Sequence, residues 1–122
     1  MVLLLSFSAL LLKAQNLEKC FVSVGQKKNF HLKFIEDQNG NNKIRYEGKT
    51  ANIQLKRLKE VEVTSNTKGL QQSVIRTVFS EVVDGEILGQ YAFDTQGAVF
   101  LSGYYISKTK KKIKLTIEEC FY

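Results

Sequence analysis

The amino-acid sequence predicts an all-β protein, a single antiparallel meander of about eight strands that forms a small barrel or a sandwich. Apolar and polar residues alternate with the two-residue period of a β-strand through most of the chain. Short turn signals separate the alternating stretches, and one cysteine stands near each end. Because no repeat and no linker divides the chain, residues 15–122 are expected to form one domain whose termini are tied by a disulfide.

The first fourteen residues are expected to be a secretory signal peptide rather than part of the fold. Val2 to Leu12 carry no charge, and a run of this length is too short to span a bilayer but matches the apolar core of a signal. Ala14 offers a small residue for cleavage. No basic residue precedes Val2, which a leader truncated at its start would explain. An apolar strand or helix of the mature fold is the alternative.

The mature protein is therefore expected to be exported, periplasmic or extracellular, and to have no transmembrane segment. Lysine outnumbers arginine by 15 to 3, as is typical of a bacterial genome rich in A and T. Loss of Lys13 with the leader lowers the net charge from +6 to +5. A basic surface attracts polyanions in a salt-dependent way, although lysines also serve solubility.

Cys20 and Cys120 are the only cysteines. In an oxidising compartment such a pair predicts a disulfide. This bond would place the first and last strands side by side, and the chain-entropy model assigns such a long loop about 4–5 kcal/mol. Two buried free thiols are the alternative. Without a Cys-x-x-Cys motif or a nearby histidine, neither a redox site nor a zinc site is expected.

The first four strands follow from alternation and turn residues. A first strand lies near Cys20 to Val24. Phe30, Leu32 and Phe34 then share one face of a second strand, and Asn39-Gly40 predicts a hairpin. Residues 43–46 alternate again. In the fourth strand, from Asn52, the apolar phase slips between Leu55 and Leu58, which predicts a β-bulge before Val61 and Val63; a helical turn over residues 55–61 is the alternative.

The second half contains the clearest hairpin. Residues 65–72 are polar and predict a loop, and residues 73–83 are apolar on both faces, as in a central strand. Asp84-Gly85 is a typical two-residue turn. Strands over 87–93, 98–106 and 113–117 follow, with turns predicted at 94–97 and 108–111. Gly89 and Gly103 fall inside strands, which indicates bends or close backbone approach.

The sequence contains few of the groups that catalysis needs, so we expect no enzyme, no catalytic residues, no metal and no cofactor. His31 is the only histidine and is expected at an exposed or rim position. No phosphate-binding or nucleophile motif is present. Glu81, Asp84 and Glu86 cluster around a turn, where they are expected to be solvated surface charges rather than catalytic acids.

Two candidate surfaces remain. An aromatic binding surface is expected from Tyr91, Gln96, Tyr104 and Tyr105, because tyrosines are common at interfaces; core packing with hydroxyls at the rim is the alternative. A candidate basic patch comprises Lys108, Lys110, Lys111, Lys112 and Lys114.

The layout of a leader, about eight strands and terminal cysteines resembles the small periplasmic lysozyme inhibitors of bacteria. Ser102-Gly103-Tyr104-Tyr105 is similar to the Ser-Gly-containing inhibitory loop of that family. The resemblance implies a small β-barrel that inhibits an envelope hydrolase. The basic residue that the family carries between glycine and tyrosine is absent, and here Ser102-Gly103 falls within a strand pattern.

The leading expectation is a small exported, non-enzymatic, β-barrel-like binding protein with a protein or small ligand of the cell envelope as partner and no specific nucleic acid. The first alternative is a periplasmic inhibitor or an immunity-type protein against an envelope hydrolase. The second alternative is a salt-dependent polyanion binder.

Overall fold

The computed structural model describes residues 16–64 and 73–120. The described residues form eight strands, which are β1 (Leu17–Ser23), β2 (His31–Glu36), β3 (Asn42–Tyr46), β4 (Ile53–Thr64), β5 (Val74–Val83), β6 (Glu86–Gln96), β7 (Val99–Ser107) and β8 (Lys112–Glu118). Each strand pairs antiparallel with the next one along the chain, and β8 pairs with β1. The protein is therefore a closed meander barrel, which confirms the predicted all-β class and decides between barrel and sandwich.

A disulfide between Cys20 and Cys120 lies at the closure of this barrel. Their Cα atoms are 5.2 Å apart, and Cys20 stands opposite Glu118 in the ladder that joins β1 to β8. The predicted pairing of the cysteines is confirmed. The expectations of a signal peptide over residues 1–14 and of a loop over 65–72 fall outside the described residues.

The β-bulge and the turns lie close to the positions predicted from the sequence. The β4–β5 ladder shifts register between Arg57 and Lys59, so the predicted bulge is confirmed and the helical alternative over 55–61 is wrong. Asp84 and Gly85 both have positive φ, 50° and 80°, as a type I′ hairpin requires. The turn predicted at 94–97 is shorter than expected, since β6 continues to Gln96.

The interior divides into two halves, which we name by their aromatic side chains. The phenylalanine half lies towards the start of β1 and the end of β2 and contains Phe21, Phe34, Phe79, Phe93 and Phe100. The tyrosine half lies towards the end of β3 and the start of β6 and contains Tyr46, Tyr91 and Tyr105 around Glu81. We call the corresponding ends of the barrel the phenylalanine end and the tyrosine end.

Two glycines make room for this packing. A Cβ atom at Gly103 would lie 2.6 Å from the carbonyl oxygen of Ala92 and 2.8 Å from the ring of Phe93. A Cβ at Gly89 would collide with the hydroxyl of Tyr105. Both glycines therefore stand within strands because an interior aromatic ring occupies the space of a side chain, in agreement with the predicted close approach.

Candidate functional site: a cup at the phenylalanine end

A cavity of about 280 Å³ opens at the phenylalanine end of the barrel. Its apolar floor consists of Phe34, Phe79, Phe93 and Phe100. These rings pack against one another, with the centroids of Phe34 and Phe93 4.9 Å apart and those of Phe34 and Phe79 5.5 Å apart. We call this cavity the cup. It is shallow, because the interior beneath it is filled by buried side chains, including Phe21 and Leu32.

The wall and rim of the cup are polar. Thr77 and Thr95 line the wall, and Leu17, Glu36, Arg57, Gly97 and Ala98 complete the lining. The Arg57 guanidinium lies 5.7 Å from the centroid of the Phe79 ring. Arg57 Nη1 donates to Glu60 Oε1 at 2.8 Å, and Nη2 lies 3.9 Å from Glu36 Oε2. These contacts hold a cation over an aromatic floor.

This arrangement suits a flat apolar group that carries a hydrogen-bond acceptor. The partly exposed ring of Phe100, backed by the buried rings of Phe34, Phe79 and Phe93, offers stacking and edge contacts to an aromatic ring. Arg57 has five N–H donors and makes one short hydrogen bond, to Glu60. Its side chain is about half exposed, at 48%, so it can turn towards a carbonyl or carboxylate oxygen at the rim. The threonine hydroxyls can donate or accept.

The tyrosine half is organised around a buried carboxylate. Glu81 is only 6% exposed; it faces the interior because it follows Phe79 by two residues along β5. The sequence expectation that Glu81 is solvated at the turn is therefore wrong, whereas Asp84 and Glu86 are exposed. Tyr91 Oη donates to Glu81 Oε2 at 3.1 Å, and Tyr105 Oη lies 3.5 Å from Oε1.

The tyrosine hydroxyls form a continuous network with this carboxylate. The hydroxyls of Tyr46 and Tyr91 are hydrogen-bonded to each other. Burial raises the pKa of Tyr46 to about 12. Burial also raises the pKa of Tyr91, and neighbouring Tyr46 and Glu81 raise it further. The tyrosines therefore remain protonated donors at neutral pH.

The four residues of the predicted aromatic surface do not lie on one surface. Tyr91 is fully buried, and Tyr105, its ladder partner, faces the same interior. Tyr104 faces outward because side chains alternate along β7. Gln96 is the last residue of β6, near the phenylalanine end. Sequence reasoning missed Arg57 and treated the phenylalanines only as core, since the cup exists only after the barrel closes.

The predicted lysines are exposed at the tyrosine end. Lys108, Lys110 and Lys111 lie in the turn before β8, and Lys112 and Lys114 lie on the outer face of β8. Lys112 Nζ is 4.0 Å from the centroid of the Tyr104 ring, and Arg76 Cζ is 4.7 Å from it. Lys110 has φ of 70°, a left-handed conformation that costs a residue with a Cβ about 1 kcal/mol.

His31 is partly exposed on the outer wall, as predicted. Its Nδ1 lies 2.6 Å from Glu118 Oε2, so the pair spans β1 and links β2 to β8. This hydrogen bond raises the pKa of His31 above its ordinary value. Within residues 16–64 and 73–120, no group of three or more histidine, cysteine or acidic residues is arranged to hold a metal.

Comparisons with protein-family models, curated proteins and solved structures found no match. The resemblance to lysozyme inhibitors therefore stays an expectation from the sequence. In the part of the chain that the structure describes, no helix has the length and hydrophobicity needed to cross a bilayer. The function must be argued from the geometry of the barrel.

Proposed function

We propose that this chain is an exported, non-enzymatic binding protein that takes a small aromatic ligand in the cup. The observation that carries the proposal is an apolar cavity lined by four phenylalanines, of which Phe100 is partly exposed, with Arg57 at its rim. Binding sites for small molecules typically combine apolar walls with a few polar groups that orient the ligand. Arg57 would orient a carboxylate or carbonyl of the ligand, and Thr77 and Thr95 would supply further hydrogen bonds.

The size of the cup favours one or two fused rings. A volume of about 280 Å³ lies just below the usual range of ligand sites, which begins at about 300 Å³. A long acyl chain would have to enter the interior, where Phe21 and Leu32 already fill the space. The ligand class that fits is therefore a compact aromatic acid or amide.

Two observations support export and a non-enzymatic role. The Cys20–Cys120 disulfide is typical of proteins that leave the reducing cytoplasm. The lining of the cup contains one carboxylate, Glu36, and this group faces Arg57 across the rim. No histidine or cysteine belongs to that lining, so the cup lacks the most common general base and the most nucleophilic side chain. Inhibition of an envelope hydrolase stays an untested alternative.

Titration with 2-naphthoate, followed by calorimetry, tests the proposal. Thr95→Trp would fill the cup and should weaken binding at least about tenfold, because one steric overlap costs more than about 1.4 kcal/mol. Thr109→Trp, in an exposed turn at the opposite end, is the matched control and should leave binding unchanged. Equal affinity of both variants, or no binding by the wild type, would overturn the proposal.

A further inference from the structure

Closure of the barrel brings two lysine-bearing segments together that are far apart in sequence. Because β8 pairs with β1, the loop after β1 and the turn before β8 lie side by side. The backbone N–H of Val24 donates to the carbonyl of Lys114 at 3.0 Å. We call the joint surface the lysine arc. Its members are Lys27, Lys28, Lys108, Lys110, Lys111, Lys112 and Lys114.

The arc is a concentrated and accessible positive charge. All seven side chains belong to exposed residues, and no ion pair joins any of them to a carboxylate of the described residues. Seven of the fifteen lysines thus cluster at one side of one barrel end. Among the described residues near the arc, Arg76 and His31 do have carboxylate partners: Arg76 Nε and Nη2 donate to Asp94 at 2.8 and 3.0 Å, and His31 pairs with Glu118.

Two details indicate that these cations are positioned rather than merely present. Lys112 lies over the ring of Tyr104 at 4.0 Å, a contact that holds an ammonium group in one place. Lys110 occupies a left-handed backbone position at which glycine or asparagine would be unstrained. Strain that persists in a folded protein often marks a functional position.

We propose that the lysine arc binds a linear anionic polysaccharide. Away from the arc, this end carries the exposed carboxylates of Glu47, Asp84 and Glu86, together with Lys49. A flat anionic bilayer would have to approach these carboxylates together with the lysines. A linear polymer can follow the arc and avoid these carboxylates. Polar side chains of Ser107, Thr109 and Asn29 lie among these lysines, where their oxygens are held by hydrogen bonds within the protein. The lysine ammonium groups supply the donors for the hydroxyl groups of a sugar chain. This choice rests on the export proposed above, since anionic polysaccharides are among the polyanions outside the cytoplasm.

The arc differs from the lysine run visible in the sequence, because it includes Lys27 and Lys28. The experiment therefore compares two double variants that remove the same charge. Lys27→Gln/Lys28→Gln lies within the arc, 80 residues or more from the run. Lys56→Gln/Lys59→Gln lies on exposed positions of β4, four strands from β8 around the eight-stranded barrel.

Binding to polygalacturonate and to dextran sulfate is measured between low and physiological salt. The wild-type affinity should fall steeply with salt. Lys27→Gln/Lys28→Gln should lower the slope of the logarithm of the binding constant against the logarithm of the salt concentration by about 1–2, and it should weaken binding about tenfold at low salt. Lys56→Gln/Lys59→Gln should change the affinity less than about twofold. Thr95→Trp, which fills the cup, should bind the polymers like the wild type, so the two sites are tested separately.

Three results would overturn the inference. Equal weakening by both double variants would mean that bulk charge, not the arc, attracts the polymer. Affinity independent of salt would exclude the ionic contacts. Tighter binding to poly-L-glutamate, or to vesicles that contain phosphatidylglycerol, would assign the arc to an acidic protein or a lipid surface rather than a polysaccharide.

Discussion

The two halves of the barrel interior are filled by side chains of different chemistry. The phenylalanine half fills its space with rings that make no hydrogen bonds, and it leaves an open cup at its end. The tyrosine half buries Glu81 and satisfies it with hydroxyl groups. Apolar packing is non-directional, whereas a buried carboxylate demands donors in defined places. Both ends have a cavity, of about 280 Å³ at the phenylalanine end and about 300 Å³ at the tyrosine end. The first is lined mainly by apolar rings, which is why we propose it as the site of an aromatic ligand.

The largest difference between the halves should appear when a central ring is removed. Phe93 is 1% exposed and packs against Phe21, Phe34, Phe79 and Phe100. Phe93→Ala should lower the free energy of unfolding by about 3–5 kcal/mol, because it loses buried area and leaves a cavity. Urea unfolding with the disulfide intact measures this. A loss below about 1 kcal/mol would mean that the phenylalanine half does not hold the barrel together.

A smaller but more specific loss is expected in the tyrosine half. Tyr91→Phe keeps the ring but removes the hydroxyl that bonds Glu81 and Tyr46. The buried carboxylate then lacks a donor, which should cost about 1–3 kcal/mol. Tyr104→Phe on the outer face is the control and should stay within about 0.5 kcal/mol. If the two variants are equally stable in urea unfolding, the hydroxyl network contributes nothing to the tyrosine half.

The smallest effect on the free energy of unfolding should come from the outer wall of the barrel, which belongs to neither half of the interior. The Glu118 hydrogen bond raises the folded-state pKa of His31 above 6.5. Stability from this pair is therefore fully present below the unfolded-state pKa and declines as pH rises through the higher folded-state value. The loss should not exceed about 1 kcal/mol, because the side chain is partly exposed.

The matched variant for this pH effect is His31→Gln. Its free energy of unfolding should lack the decline that the wild type shows as pH rises from slightly acidic to slightly basic values. Identical pH profiles of the two proteins, recorded by urea unfolding across that range, would show that the His31–Glu118 pair is not coupled to folding.

Local patterns in the sequence were sufficient to predict the strands. The features that depend on closure of the whole barrel could not be predicted from these patterns. Alternation and Asp84-Gly85 predicted the hairpins, and the phase slip before Leu58 predicted the bulge in β4. The inward position of Glu81 was missed, because its nearness to a turn outweighed its place in the alternation of β5. The cup could not be predicted, since Arg57 and Phe100 meet only once the register of every strand is set.

The lysine arc, like the cup, could not be predicted in full from the sequence. The run from Lys108 to Lys114 is visible in the sequence, but its union with Lys27 and Lys28 depends on the pairing of β8 with β1. The aromatic surface failed as a group for a related reason. Neighbouring Tyr104 and Tyr105 point to opposite sides of the wall, so a sequence cluster became one outer and one inner residue.

We propose that the phenylalanine end, and not the tyrosine end, receives the ligand. The most direct measurement is a map of backbone amide shifts by NMR during titration with 2-naphthoate. We expect the largest amide shifts at Thr77, Thr95 and Gly97, around the cup. Shifts centred instead on His31 and Tyr46, which line a cavity at the opposite end, would contradict it.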